Sequence, residues 1–242
     1  LEDYAIRLGK PLIIIFGLGS ANGSRTGASP LAEMMESLTK RPNVSVITCM
    51  GNEANNKCHY KGTVTSALVP DVMEVNVDGT GKGFTMEIWA ESLDILSVSI
   101  ESPSGEYVPR IPARMGASME YTFLYEGSMV TVDYQITENV AGMEVIFVRL
   151  KTPVEGTWKF YIYSLTNIKG SYNAWLPLKQ FSGQDIFFLK SDPDTTLTVP
   201  AAADGVISVG AYNHYTGAAY YESGRGYSAD GRIKPDFVAP GA

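Results

Sequence analysis

The spacing of apolar residues changes about a quarter of the way along the chain. Pro11-Leu12-Ile13-Ile14-Ile15-Phe16 is an unbroken apolar run, the pattern of a strand buried in a parallel sheet. An amphipathic stretch, Leu1 to Gly9, precedes it and reads as a helix. Leu31, Met34, Met35 and Leu38 then recur at intervals of three and four, which places them on one helical face. Ser29 or Ala28 opens that helix, and Arg41-Pro42-Asn43 closes it. A second apolar strand, Val44 to Cys49, follows. Strand, helix and strand in this order build a parallel sheet with covered faces.

From about Lys61 the period becomes two. Phe84 to Trp89 and Leu96 to Ile100 alternate apolar with polar, as do Tyr121–Phe123, Val130–Val132 and Trp158–Ile162, and Val145–Val148 reads as a further short strand. Turn residues separate these runs: Asp78-Gly79-Thr80-Gly81, Ser102-Pro103-Ser104-Gly105, Glu126-Gly127 and Glu155-Gly156. Short strands without a helical segment predict an antiparallel β-sandwich over residues 61–196. The expected architecture is an α/β core made of residues 1–60 and 197–242, interrupted by that sandwich.

Composition narrows the function classes. The 242 residues carry a net charge of −7, which argues against sequence-independent nucleic-acid binding through clustered Lys and Arg. The longest apolar stretches run to about six residues, against the roughly 20 that span a bilayer, so no membrane partner is expected. Cys49 and Cys58 do not make a disulfide framework and lack the paired spacing of a zinc site. A buried thiol and a loop thiol are expected instead, with no metal and no cofactor. No signal peptide is visible.

Gly51-Asn52-Glu53 follows the strand Val44–Cys49 directly. Gly-Asn is also a common turn dipeptide, and on the tripeptide alone the turn is the simpler reading. Two C-terminal segments alter this. Val206-Ile207-Ser208-Val209-Gly210-Ala211 leads to Tyr221-Glu222-Ser223-Gly224-Arg225-Gly226. The chain then closes on Asp230-Gly231-Arg232-Ile233-Lys234-Pro235-Asp236-Phe237-Val238-Ala239-Pro240-Gly241. In order and spacing this series resembles the subtilisin-like serine proteases, the turn at 221–226 carrying one extra residue. Pro11–Phe16 with Gly17-Leu18-Gly19-Ser20 is similar to the strand and edge on which that family lays its substrate, with Gly17 in place of the usual Ser. The period-two region, with Ser102–Gly105 and Gly156-Thr157-Trp158, resembles the jelly-roll domain of the Csp-type germination proteases of spore-forming bacteria.

The resemblance implies roles for particular residues. Asn52 would donate its side-chain amide to the oxyanion formed when a serine attacks a peptide carbonyl, a contribution of roughly 3–4 kcal/mol per donor. Gly17, Leu18 and Gly19 would offer backbone groups to an extended peptide that adds as a strand, and Cys49 and Gly51 would wall the adjoining pocket. The family's Asp and His lie upstream of where this chain starts, and its Ser downstream of the closing Ala-Pro-Gly. His59 and His214 are each followed by Tyr rather than Gly-Thr, and Gly226-Tyr227-Ser228-Ala229-Asp230 lacks the closing glycine of a nucleophile elbow. The chain is therefore expected to be a partial catalytic domain, inactive alone, whose partners are a protein or peptide substrate and its own flanking segments. Exposed core surface is expected to promote self-association. The family resemblance implies a secreted location or association with the spore or cell envelope.

Other readings compete. Gly17 to Gly23 follows a strand and precedes a helix, but Asn22 stands where a dinucleotide fingerprint needs glycine, and no phosphate-loop lysine is present. A Cys58–His59 dyad is disfavoured because adjacent residues on an extended segment point to opposite sides. Trp89, Trp158, Tyr161 and Trp175 form either a sugar platform or packing, the latter being the commoner use. A non-catalytic subtilase-like pseudoprotease, or a sandwich binding module, is the functional alternative.

Overall fold

The structure is a computed structural model that describes residues 1–79, 81–91, 93–136, 142–182 and 185–241. Thr80, in the turn expected at Asp78–Gly81, lies outside the described residues. The chain divides into two compact units, residues 1–55 with 193–242, and residues 56–192.

The first unit holds four parallel strands. They are β1 (Leu12–Phe16), β2 (Val44–Cys49), β14 (Ile207–Tyr212) and β15 (Phe237–Pro240), in the order β1-β2-β14-β15. Helix α1 (Glu2–Leu8) precedes β1, and α2 (Pro30–Thr39) joins β1 to β2. Ser29 caps α2, its hydroxyl accepting from the Ala32 amide at 3.2 Å, with Pro30 supplying a pre-set φ in the first turn. A short 3₁₀ turn, Val199–Ala202, precedes β14. Ala32, Met35, Val46, Ala203 and Val206 form the buried core on one side of the sheet, with Ile14, Phe16 and Leu38 against them.

Two expectations change here. The run Pro11–Phe16 is not buried on both faces, because only the side carrying Ile14 and Phe16 packs against the core. Ile13 and Ile15 are 61% and 73% exposed, and among the described residues nothing covers them. The packed face of α2 is also narrower than the spacing suggested: Ala32 and Met35 are buried, whereas Leu31 and Met34 face outward. Ala32 takes the place closest to the sheet, where a small side chain lets the helix approach. Helix α1 forms as expected but buries none of its residues.

The second unit has two antiparallel sheets. One has six strands in the order β3-β12-β5-β10-β9-β8 and the other five in the order β13-β4-β11-β6-β7. The six are β3 (His59–Thr63), β12 (Ser171–Trp175), β5 (Gly83–Ala90), β10 (Glu144–Lys151), β9 (Met129–Ile136) and β8 (Ser118–Thr122). The five are β13 (Asp185–Phe188), β4 (Asp71–Asp78), β11 (Gly156–Ser164), β6 (Leu96–Glu101) and β7 (Tyr107–Ile111). Inward positions of both sheets share one core: Met86 and Ile88 from β5 and Val148 from β10 meet Val75 from β4 and Trp158 and Phe160 from β11. Period-two alternation produces this because every second side chain falls on the same face. One helical turn, α3 (Lys179–Ser182), lies within the region expected to be without helix.

The tryptophans pack rather than present a platform. Trp158 is buried edge-on against Phe123 at 5.0 Å, with its indole N–H donated to the Val154 carbonyl. Buried Trp89 donates to Glu87 at 3.0 Å, and Trp175 stacks on His59 at 5.0 Å. Asp71 accepts from both Tyr60 at 2.9 Å and Tyr172 at 2.7 Å, tying β4 of one sheet to β3 and β12 of the other.

Glu144 is buried where β10 begins. Its Oε2 accepts from the Leu96 amide at 2.5 Å, and Oε1 meets no donor among the described residues. Burial pushes its carboxyl up from 4.5 to about 7, the backbone donor opposing this only in part. A carboxyl raised in the folded state holds its proton more tightly than in the unfolded chain. Its contribution to stability is present below about pH 4.5 and is lost as the pH climbs through about 7.

Two outcomes are expected. Phe160→Ala removes a fully buried ring from the shared core and lowers the stability of the 56–192 unit by about 3–5 kcal/mol, whereas Ile15→Ala changes stability by less than about 0.5 kcal/mol. Denaturant melts of both variants check this. The same melts across the pH range should show stability falling towards neutral pH, and Glu144→Gln should flatten that fall.

Candidate functional site

The carboxyl ends of β1 and β2 emerge side by side, because Phe16 pairs with Thr48 in the parallel register. In open parallel sheets this rim is where ligands bind. It carries Gly17-Leu18-Gly19 on one strand and Cys49-Met50-Gly51-Asn52 on the next. Gly17 is exposed with open space where a side chain would be, and Leu18 is 80% exposed. The backbone of this edge is thus accessible. Asn52 is exposed just past the end of β2, and Glu53 beside it is buried.

The turn before Asn52 is held from several directions. Met50 N–H donates to the Val209 carbonyl at 3.1 Å, carrying the β2–β14 pairing one residue further. The Met50 carbonyl accepts from Thr198 N–H at 2.9 Å, and the Cys49 carbonyl from the Thr198 hydroxyl at 3.1 Å. Gly51 adopts φ +86°, a left-handed conformation that disfavours a side chain, and its carbonyl accepts from Gly224 N–H at 2.7 Å. Gly224 is confined for a different reason: a Cβ there would lie 2.3 Å from the Met50 carbonyl oxygen. Ser223, next to it, uses its hydroxyl to accept the Ala211 amide of β14 at 2.9 Å. The segment 221–226 therefore braces the turn that presents Asn52.

The charged residues near the C-terminus act as clamps on backbone. The Arg232 guanidinium donates to the Thr26 carbonyl at 2.5 Å and the Ala202 carbonyl at 2.9 Å, with Asp230 on its Nε at 2.8 Å. Lys234, almost fully buried, donates to the Val206 carbonyl and to Asp236, each at 2.9 Å. Asp236 also accepts the Ser208 amide at 2.6 Å and the Ser208 hydroxyl at 2.7 Å. Partial burial alone would raise the Asp236 carboxyl, but the Ser208 and Lys234 donors outweigh it and hold it below its ordinary value. These contacts fix the 3₁₀ turn and the start of β14.

Sequence reasoning placed Gly17, Leu18, Gly19, Cys49, Gly51 and Asn52 at the site, and the fold brings all six to one rim. Cys49 is half-buried at the end of β2 and Cys58 is buried in the other unit, and neither is in a disulfide among the described residues. His59 is a packed residue of the sandwich unit, its Nε2 at 2.9 Å from the Asn173 side-chain oxygen. Thr198 and Ser223 were missed as supports. Ser223 lies within a quoted motif, but nothing in the local sequence marks Thr198.

Residues 151–242 match the model of the subtilase family. No curated protein matches the chain by sequence. Among solved structures it is similar to the CspB protease of Clostridium perfringens, with a TM-score of 0.86 and 26% identity. That match covers 100% of this chain and 51% of the other, so the chain spans about half the length of the solved protein. Residues 151–242 thus resemble the subtilase family, and the chain as a whole is similar in fold to CspB.

Proposed function

We propose that the chain is the substrate-binding and oxyanion-hole portion of a subtilisin-like serine endopeptidase, with a jelly-roll domain inserted in its α/β core. The observation that carries the reading is the rim itself. An accessible glycine edge lies on the strand next to the one whose end presents an exposed Asn52. A peptide adding as a strand along Gly17–Gly19 would use main-chain hydrogen bonds for affinity. Its scissile carbonyl would come to the neighbouring strand's end, where the Asn52 amide N–H can meet the developing negative charge. The clamped turn keeps that donor in place, so little reorganisation is needed as charge develops.

Serine and histidine for the chemical step would come from segments flanking these 242 residues in a longer protein, and the chain alone would not hydrolyse peptides. The longer protein is expected to cleave a denatured protein and to label with a serine-directed fluorophosphonate. In it, Asn52→Ala should lower kcat about a hundredfold or more, with labelling still detectable. Loss of less than about threefold would remove Asn52 from the oxyanion role. A folded parent that neither cleaves nor labels would make the chain part of a pseudoprotease or binding module.

A further inference from the structure

Gly19 and Gly51 sit on different loops but lack side chains for one shared reason. A Cβ on Gly19 would fall 2.4, 2.5 and 2.6 Å from Thr198 Cγ2, Cβ and Oγ1, and a Cβ on Gly51 would fall 2.5 Å from the same Cγ2 methyl. The Thr198 side chain thus fills the space beneath both loops, and its methyl is the atom that reaches both. Thr198 is only 3% exposed. Its amide and hydroxyl bond the Met50 and Cys49 carbonyls on the Asn52 side, at 2.9 and 3.1 Å. On the other side, the next amide, Val199 N–H, donates to the Ser20 carbonyl at 3.0 Å. A β-branched side chain has few χ1 choices, so the branch itself restricts where the methyl points.

We infer that Thr198 is a positioning residue whose methyl acts as the spacer between the Gly17–Gly19 edge and the Gly51-Asn52 turn. It sets the register between an extended peptide on the first and the amide that meets its carbonyl on the second. The inference rests on the reading of those segments as peptide edge and oxyanion turn. Without the methyl, the loops can close over the gap, and a misplacement of about 1 Å at a reacting centre can cost about a hundredfold in rate. The loss belongs in kcat, since the peptide's main-chain contacts are made equally in ground and transition states.

Two variants separate the spacer from the hydrogen bond. Thr198→Ser keeps the hydroxyl and removes the methyl; Thr198→Val keeps the methyl and removes the hydroxyl. In the longer protein, Thr198→Ser should lower kcat about tenfold or more with KM changed less than about threefold, and Thr198→Val should restore most of that loss. The reverse order, or equal losses in both, overturns the spacer role. The chain of 242 residues gives a second readout that needs no catalysis: amide exchange at Val199 and Gly224, whose hydrogen bonds hold the two loops. Exchange there should quicken about tenfold in Thr198→Ser and not in Thr198→Val, with the strands of the 56–192 unit unchanged. If the wild-type longer protein is inert, the protease reading fails, and the exchange pattern alone decides the spacer. Equal exchange in the two variants overturns it.

Discussion

Strand β2 is hydrogen-bonded along both edges, and the candidate site depends on that. On one side Leu12 to Phe16 pair in register with Val44 to Thr48; on the other, Ile207 to Val209 pair with Ile47 to Cys49. Because all three strands run in the same direction, their carboxyl ends share one rim, and a glycine edge comes to lie beside an asparagine far from it in sequence. A slip of one residue would turn Val46 out of the core and Ile47 into it, so burial of alternate residues enforces the register.

The charged motif near the C-terminus makes sense against that constraint. Parallel strands cannot be closed by hairpins, so their connections must be held by other means. Arg232, Lys234 and Asp236 each bond backbone groups of a different segment: the loop before α2, the 3₁₀ turn, and the start of β14. Hydrogen bonds to charged groups are worth about 1.5–3 kcal/mol each and demand particular side-chain lengths. This is why the block from Asp230 to Gly241 is so specific as a pattern while contributing no group to the proposed chemistry.

Much of the architecture is readable in the sequence where one side of an element packs and the other does not. Phe84, Met86 and Ile88 alternate with polar residues and become β5; Trp158, Phe160 and Ile162 do the same in β11. The pattern blurs where polar residues are buried by their own partners. Ser97 and Ser99 of β6 are fully buried because Arg110 bonds the first at 2.6 Å and Tyr107 the second at 2.7 Å. Strands β4 and β12 were not anticipated, since Asp71 and Asn173 interrupt their apolar residues and find partners on other strands only in the fold. At the site, Asn52 and the glycines announce themselves by local motif. Thr198 cannot, because its partner Cys49 is 149 residues away and the contact exists only after three loops have met.

The most direct test of the proposed oxyanion site is a crystal structure of the longer protein after reaction with a peptidyl phosphonate. The account predicts the peptide in extended form along Gly17–Gly19, with the phosphonyl oxygen about 2.7–3.1 Å from the Asn52 amide nitrogen. A peptide bound elsewhere, or a phosphonyl oxygen held by other donors with Asn52 turned to solvent, would contradict it.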